Sequence, residues 1–486
     1  MRNTALRRAG RDLLLGLLMA GIGSGCATNP ATGRRQLALI GEQEEIAMGR
    51  QADREVTATM GLYEDPELQD YLQELGGALA ARSERPHLPW TFRVIDDPVV
   101  NAFALPGGLI YVTRGILSYL NSEAELVAVL GHEIGHVTAR HAASRLSKAR
   151  LSSVGLGVGM LLKPGLRQFG DLTQMGLGLL FLKYSRDDER QADELGLRYS
   201  IRGGYDARKM PEVYTVLKRV GETSKAGRVP SWLATHPDPV NRRAAIEARL
   251  VALEHDFSGA KIERQSYLRR LDGLVFGEDP REGFFEGSTF LHPELKFRLQ
   301  FPPGWETRNQ RQSVVAVSPG NDALVELSVS SVEDPEAAAR EFLGQEGVTG
   351  GRVQRRRVHG LPAASGRFEA ETEQAVLAGR MVFVRYEGST YRLLGYALRE
   401  KWDGYAEAVD RSLASFERLT DPAALNLQPA RLKVVRPRRI LTLPQFQELF
   451  PSTVPLEQIA LINHVEPGGS LPAGLAAKQV VGGRGR

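Results

Sequence analysis

The sequence predicts a multidomain chain. A mainly α (α+β) domain carries a His-Glu-x-x-His helix and is followed by an α+β domain with an antiparallel sheet and a small C-terminal unit. Three observations predict this. The 486 residues are 42% hydrophobic and 25% charged, which suits about three domains with buried cores and excludes a wholly disordered or many-span chain. Helix-type spacing dominates residues 42–255, whereas alternation of apolar and polar residues takes over from about Phe284. Pro and Gly then become frequent toward the C-terminus. The single cysteine excludes a disulfide framework, an all-cysteine zinc site and a CxxC redox centre, so any metal must sit on His, Asp or Glu.

Taken in order, residues 1–25 place Arg2, Arg7, Arg8 and Arg11 before an apolar run from Leu13 to Ile22, then small residues up to Cys26. That is the layout of a secretory signal, too short for a membrane span. With its cysteine after Gly-Ser-Gly, the segment resembles a bacterial lipoprotein signal, in which Cys26 is lipidated and becomes the first mature residue. Ala27, where an Asp is absent, resembles lipoproteins sorted to the outer membrane. Removing residues 1–25 lowers the formal charge from +4 to +1, since four Arg and Asp12 go with them. A nucleic-acid partner is therefore not expected, and Arg355–Arg357 and Arg436–Arg439 read as solvated loop faces.

Residues 26–40 are polar and turn-rich and read as a tether. The first domain, 41–256, opens with helices over Glu42–Met60 and Pro66–Arg82. Trp90–Ile95 reads as a strand, and Asn101–Leu105 and Leu109–Val112 flank a Pro-Gly-Gly turn. The strongest helix runs from Ser122 to about Leu146, with Ser122 and Glu125 as a capping box. The Gly-rich apolar stretch 152–182 reads as a helical hairpin or flap. Helices over Asp187–Tyr199, Met210–Val220 and Pro239–His255 follow. A linker, 257–283, leads to the α+β domain, 284–420, whose strands include Lys296–Leu299, Ser313–Val317, Leu324–Val329 and Met381–Tyr386 and which closes with a helix over Tyr405–Phe416. Trp305 reads as a core anchor of that domain. Residues 421–486 form a tail or small unit.

The chemistry concentrates in His132-Glu133-Ile134-Gly135-His136. Positions i and i+4 share a helix face, so both imidazoles reach one ion while Glu133 points toward its water ligand, an arrangement that suits zinc. A catalytic zinc takes three protein ligands and an open position. The third is expected in Tyr184–Asp193, where Glu189 and Asp193 are four apart, one for the metal and one to orient an imidazole. Asp187, Asp188 and Glu194 are competitors. Gly131, Gly135 and Gly196 permit close helix approach. His141, five after His136 and about 140° round a continuous helix, is excluded as a ligand. His87, His255, His292, His359 and His464 lack metal spacing and read as ordinary surface or loop residues.

These residues resemble the HtpX- and BepA-like gluzincin zinc endopeptidases, family forty-eight of the metallopeptidases, over roughly residues 27–250. The resemblance rests on HEIGH, on Glu189-x-x-Ala192-Asp193, on Asn101-Ala102-Phe103, and on Asn29–Gly33 after Cys26. It implies a zincin-type fold, one Zn2+ per chain, and metal ligands His132, His136 and Glu189. Thr235-His236-Pro237 and Arg242 match a further signature, which implies His236 near the metal and Arg242 near the oxyanion.

The implied reaction is peptide hydrolysis, with Glu133 as general base and Asp193 orienting a ligand. His236 or Arg242 then stabilises the oxyanion, or His236 fills the open zinc position in a latent state. Asn101, Ala102 and Phe103 form an edge strand that binds substrate by β-addition. Expected partners are unfolded or misassembled envelope proteins and the lipid bilayer, in the periplasm at the outer membrane. The alternative is a chaperone-like or peptidoglycan-binding factor, because Arg431–Val481 resembles a LysM module.

Overall fold

The computed structural model describes residues 26–155, 184–223, 232, 235, 236, 239–372 and 375–483. The expected signal, 1–25, most of the expected flap at 152–182, and Pro237 lie outside the described residues. The chain divides into two compact units, one of the described residues up to Leu274 together with 432–480, the other of Val275–Arg431.

In the first unit, β1 (Cys26–Thr28) and β2 (Arg35–Leu37) pair as an antiparallel hairpin. The stretch read as a tether is thus folded. The reason is Asn29, which is buried and uses its amide to bond Gln36 and the Ala139 carbonyl. Helices α1 (Glu42–Met60) and α2 (Pro66–Ala80) follow; Asp65 caps α2 by accepting from the Leu68 N–H, with proline at the first turn. A three-stranded sheet has the order β3 (Thr91–Ile95), β5 (Leu109–Thr113), β4 (Ala102–Leu105), with β3 and β5 parallel and β4 antiparallel at the edge. The β4–β5 turn needs glycine: Gly107 has φ 84°, and a Cβ there would lie 2.7 Å from Ile46 Cα.

After α3 (Arg114–Tyr119), helix α4 (Glu123–Thr138) is buried from Ala124 onward and forms the centre of the unit. The Ser122 side chain accepts from the Glu125 N–H, but the Glu125 carboxylate accepts from the Asn121 N–H and the Ser122 hydroxyl, so the box is only half of the expected one. The expected continuous helix to Leu146 is interrupted. Arg140 takes φ 60°, held by bonds from its guanidinium to Glu45 and the Ile40 carbonyl, and α5 (His141–Gly155) starts in a new direction. Helix α6 (Arg186–Arg202) carries a complete Ser185/Asp188 capping box. Then come α7 (Met210–Thr223), α8 (Pro239–Ala252) and α9 (Arg264–Arg270).

Helices α4 and α6 meet backbone to backbone. A Cβ on Gly131 would lie 3.0 Å from the Gly196 carbonyl oxygen, and one on Gly135 would lie 3.0 Å from that of Ala192. This approach brings the third ligand candidate to the two histidines.

In the second unit, a four-stranded sheet joins β6 (Phe284–Glu286), β7 (Thr289–His292), β8 (Phe297–Gln300) and β17 (Glu417–Arg418). An eight-stranded antiparallel sheet runs from β9 (Glu306–Asn309) through β10 (Ser313–Val317), β11 (Ala323–Ser330), β16 (Ser389–Leu398), β15 (Val376–Tyr386) and β14 (Leu361–Glu371) to β12 (Val348–Gly350), with β13 (Gln354–Val358) also on β14. Both its faces are covered. Val382 and Val384 pack in one cluster with Phe416, while Met381 and Phe383 pack in another with Phe342 of helix α10 (Pro335–Leu343). Helix α11 (Trp402–Leu413) gives Val409 to the first cluster, against which Trp305 packs. Arg355–Arg357 lie on a strand, not a loop, with exposed side chains.

The chain continues into the first unit with β18 (Arg431–Val435), β19 (Leu441–Thr442), helices α12 (Leu443–Leu449) and α13 (Leu456–Ile462), β20 (Ser470–Leu471) and β21 (Ala477–Val481); β18 pairs with β21 and β19 with β20. Lys478 is fully buried and donates to the Ser118 and Leu120 carbonyls at 2.7 and 2.8 Å. His464, expected at the surface, bonds the Tyr119 carbonyl at 2.7 Å.

Candidate active site

Helix α4 presents His132 and His136 from successive turns, and α6 presents Glu189 across the glycine contact. His236 closes the group. Ligand atoms of these four buried residues all lie within 4.8 Å of one another. His132 Nε2 is 3.0 Å from His136 Nε2, 3.5 Å from Glu189 Oε2 and 3.3 Å from His236 Nδ1. Glu189 Oε1 is 3.6 Å from His136 Nε2 and 3.1 Å from His236 Nδ1.

These separations test whether a metal fits. A tetrahedral zinc with bonds near 2.0–2.1 Å places its ligand atoms about 3.3 Å apart, and these separations, each taken to the nearer Glu189 oxygen, run from 3.0 to 3.6 Å. Glu133 adds an independent observation. Its carboxylate is fully buried, and neither oxygen has a hydrogen-bond partner among the described residues; His236 Nε2 is 3.6 Å away. A buried carboxylate without a partner is costly, and burial raises its pKa. The residues fit zinc.

Behind the cluster, Asp193 Oδ1 lies 2.9 Å from His132 Nδ1. Arg242 fastens Asp193, with Nε 2.8 Å from Oδ2 and an amino group 2.6 Å from Oδ1, and its other amino nitrogen lies 2.7 Å from Glu189 Oε2. The guanidinium is therefore engaged with two carboxylates and stacked 4.8 Å from the Tyr214 ring, whose hydroxyl donates to Asp193 at 2.5 Å. Burial works against ionisation of Asp193, yet Arg242 holds its carboxyl at about 2. Burial, although opposed by His236 and Arg242, likewise fails to prevent Glu189 from lying well below the ordinary carboxylate range. His132 is disfavoured as a cation by burial and Arg242 but is pushed up to about 9 by Asp193 and Glu189. Burial and His132 drive His136 well below its ordinary value. Glu189 is thus an ionised carboxylate in a dry site beside imidazoles, and His132 would give up its proton on binding a metal.

The edge strand lies beside this group. Ala104 and Leu105 of β4 line a narrow cleft with His136, Val137 and Tyr184. Ala102 and Phe103 are buried, and Phe103 stacks on Tyr111; Asn101 is half-buried with an unpartnered side-chain oxygen. Cys26 stands at the start of β1.

The competitors for the third ligand have other partners. Asp187 pairs with Arg190, Asp188 caps α6 and meets Arg145, and Glu194 pairs with Arg249. Sequence reasoning missed Tyr184, stacked 4.0 Å from His136, and Trp232, stacked 5.1 Å from His236. It also missed His141, which the break at Arg140 turns back onto His136. Tyr184 directly precedes the acidic helix start, the one signal available.

Comparison with known proteins gives the same picture. The model of Peptidase family M48 matches residues 66–250. A beta-barrel assembly-enhancing protease of Yersinia pestis is 27% identical over 369 residues, 68% of this chain and 74% of that protein. The protein of that name from Escherichia coli K12 is 30% identical over 226 residues but is covered over only 46% of its length. The mitochondrial metalloendopeptidase OMA1 of Schizosaccharomyces pombe is 30% identical over 242 residues, covering 48% of this chain and 70% of that protein. With this similarity on one side and a buried His-His-Glu group beside a free glutamate on the other, the chain belongs to peptidase family M48 and is a metalloendopeptidase.

Proposed function

We propose that this chain is a zinc-dependent endopeptidase of the bacterial cell envelope that cleaves misfolded or unassembled envelope proteins. The observation that carries the reading is the near-tetrahedral grouping of His132, His136 and Glu189 next to the unpartnered Glu133 carboxylate. The envelope setting is supported by relatives named as beta-barrel assembly-enhancing proteases and by the lipoprotein-like N-terminus around Cys26. Among the described residues no helix is long and apolar enough to cross a membrane.

His132, His136 and Glu189 would hold the ion, and Asp193, fixed by Arg242, orients the His132 ring through Nδ1. Bound zinc supplies a Lewis acid that polarises the scissile carbonyl and acidifies a water. Glu133 accepts the proton of the attacking water at its carboxylate and returns it to the leaving amine; the pKa raised by burial suits a group that must both take and give that proton. Substrate lies along β4, where backbone pairing supplies sequence-tolerant binding. His236 faces the group through Nδ1 and Glu133 through Nε2, so it would be the residue able to fill the position of a bound ion that substrate needs, or to meet the oxyanion there. Arg242, tied to Glu189 and Asp193, positions ligands rather than the oxyanion.

Casein digestion by purified protein with one zinc per chain is the test. Glu133→Gln should retain zinc and lose at least a hundredfold in rate; equal cleavage by that variant would sink the catalytic assignment. Cys26→Ser should release the protein from the membrane fraction, and unchanged pelleting counts against the anchor. Reading residues 432–480 as part of the protease body, rather than a separate peptidoglycan binder, is supported by the burial of Lys478 against α3.

A further inference from the structure

Past the break at Arg140, His141 lies with Nδ1 2.9 Å from His136 Nδ1, on the side away from the metal-facing Nε2. Its Nε2 is 2.8 Å from Gln191 Oε1 on α6, and that oxygen is 3.3 Å from Asn29 Nδ2 in the turn after β1. His141 is buried. None of these contacts serves the reaction as described above, yet they form an unbroken line from the backbone to a metal ligand.

The donor and acceptor at each link follow from groups whose role is fixed. Asn29 Oδ1 receives the N–H groups of Ala31 and Thr32 at 2.9 and 3.3 Å, which can only donate. Asn29 Nδ2 lies 3.3 Å from the Ala139 carbonyl, which can only accept. The Asn29 amide is therefore oriented, and its Nδ2 shares two hydrogens among the Ala139 carbonyl, Gln36 Oε1 at 3.1 Å and Gln191 at 3.3 Å; having no lone pair to accept with, it requires the facing atom of Gln191 to be the oxygen. That oxygen can only accept, so His141 carries its proton on Nε2. In neutral His141 the other nitrogen, Nδ1, is then a bare acceptor. His136 must donate to it from Nδ1, which leaves the lone pair of His136 Nε2 directed at His132 Nε2, 3.0 Å away.

We propose that His141 and Gln191, oriented by Asn29, are positioning residues that fix the tautomer and ring orientation of His136 as a metal ligand. The proposal rests on the metal reading of the cluster. Outer partners of this kind hold a ligating imidazole in one tautomer and are worth 10–100-fold in metal affinity. The usual partner is a carboxylate or carbonyl. Here a second histidine relays the role, which makes it dependent on Gln191 in α6 and on a turn 162 residues away in sequence from that glutamine.

The test is zinc competition against a chromophoric chelator on the full chain, with His136→Ala as control. Gln191→Met removes the acceptor from a half-buried site at little risk to folding, and His141→Leu removes the relay itself. Both should weaken zinc binding 10–100-fold. His141→Asn, whose amide oxygen stands where Nδ1 was, should restore binding to within about fivefold. Long-range nitrogen–proton NMR of the zinc-loaded protein should show His136 protonated at Nδ1 and His141 at Nε2. Zinc affinity within threefold of the parent in both Gln191→Met and His141→Leu, or a proton found on His141 Nδ1 and not on its Nε2, overturns the proposal while leaving the metal site standing. Unchanged affinity in His136→Ala would instead overturn the metal reading.

Discussion

Gly196→Ala is the sharpest perturbation of the contact on which the site depends. A Cβ at this position lies 2.9 Å from His132 N, 3.1 Å from Gly131 C and 3.2 Å from His132 Cα. Non-bonded carbon contacts sit near 3.5–4.0 Å, so α6 must retreat from α4 by roughly half an ångström. All three obstructing atoms are backbone, and no rotamer change relieves them. The expected destabilisation is that of an overpacked core, about 1–3 kcal/mol. Glu189 lies two turns away on the same helix, and ligand distances tolerate only about 0.2 Å, so zinc should bind at least tenfold more weakly. Gly77→Ala on α2 supplies the control of opposite sign. Its nearest neighbour, Gln73 Nε2, is 3.9 Å from the added Cβ, and the gain in helix propensity should stabilise by about 0.5–1 kcal/mol. Urea unfolding and zinc competition read both. Gly196→Ala within 0.5 kcal/mol of the parent, at unchanged zinc affinity, would refute the reasoning (thresholds set by ordinary surface-substitution effects).

Three further outcomes follow from the same contacts. Asp193→Asn should lower zinc affinity 10–100-fold by loosening His132, measured by the same competition; parental affinity would remove Asp193 from the site's support. In the zinc-free protein, the Asp193 carboxyl is held at about 2, below its ordinary 3.8. Its contribution, about 2 kcal/mol, is therefore complete above the ordinary value and is lost as the pH falls from about 4 through 2; urea midpoints between pH 5 and 2.5 should fall less steeply in Asp193→Asn, and parallel curves would contradict this. Lys478→Met should cost about 1–3 kcal/mol, because the buried Ser118 and Leu120 carbonyls lose the donor that now satisfies them at 2.7 and 2.8 Å; equal stability by urea unfolding would show these two bonds to be dispensable.

What could be read from the sequence was what short-range periodicity encodes. Spacing of four placed His132 and His136 on one face, and the same spacing paired Glu189 with Asp193. Glycines at 131, 135 and 196 announced a close helix crossing, and alternation announced strands such as Met381–Tyr386. Spacing left Asp187, Asp188 and Glu194 open, because their exclusion depends on Arg190, Arg145 and Arg249, one of them 55 residues distant. His141 was misplaced for a different reason. The 140° separation assumed an unbroken helix, and the positive φ of Arg140 is imposed by Glu45 and the Ile40 carbonyl from α1 and its approach. Asn29 escaped likewise: a polar residue in a turn-rich stretch reads as solvated, and only its distant partners make burial affordable.

Those distant partners cluster at the two ends of one helix. The family match begins at residue 66 and ends at 250, yet α4 is fastened at its C-terminal end by Asn29 to the Ala139 carbonyl and by Glu45 to Arg140. At its N-terminal end, Asn121 donates to the Ile462 carbonyl, and Lys478 sits in the field of Glu125. Both anchors come from outside the matched span. Every metal-facing side chain lies within it, so the matched residues supply the chemistry while the flanking segments hold the helix that presents it. A ligand set that must keep its distances to a few tenths of an ångström needs its central helix fixed at both ends, and the N-terminal hairpin and the 432–480 segment are the parts of the chain that make those contacts.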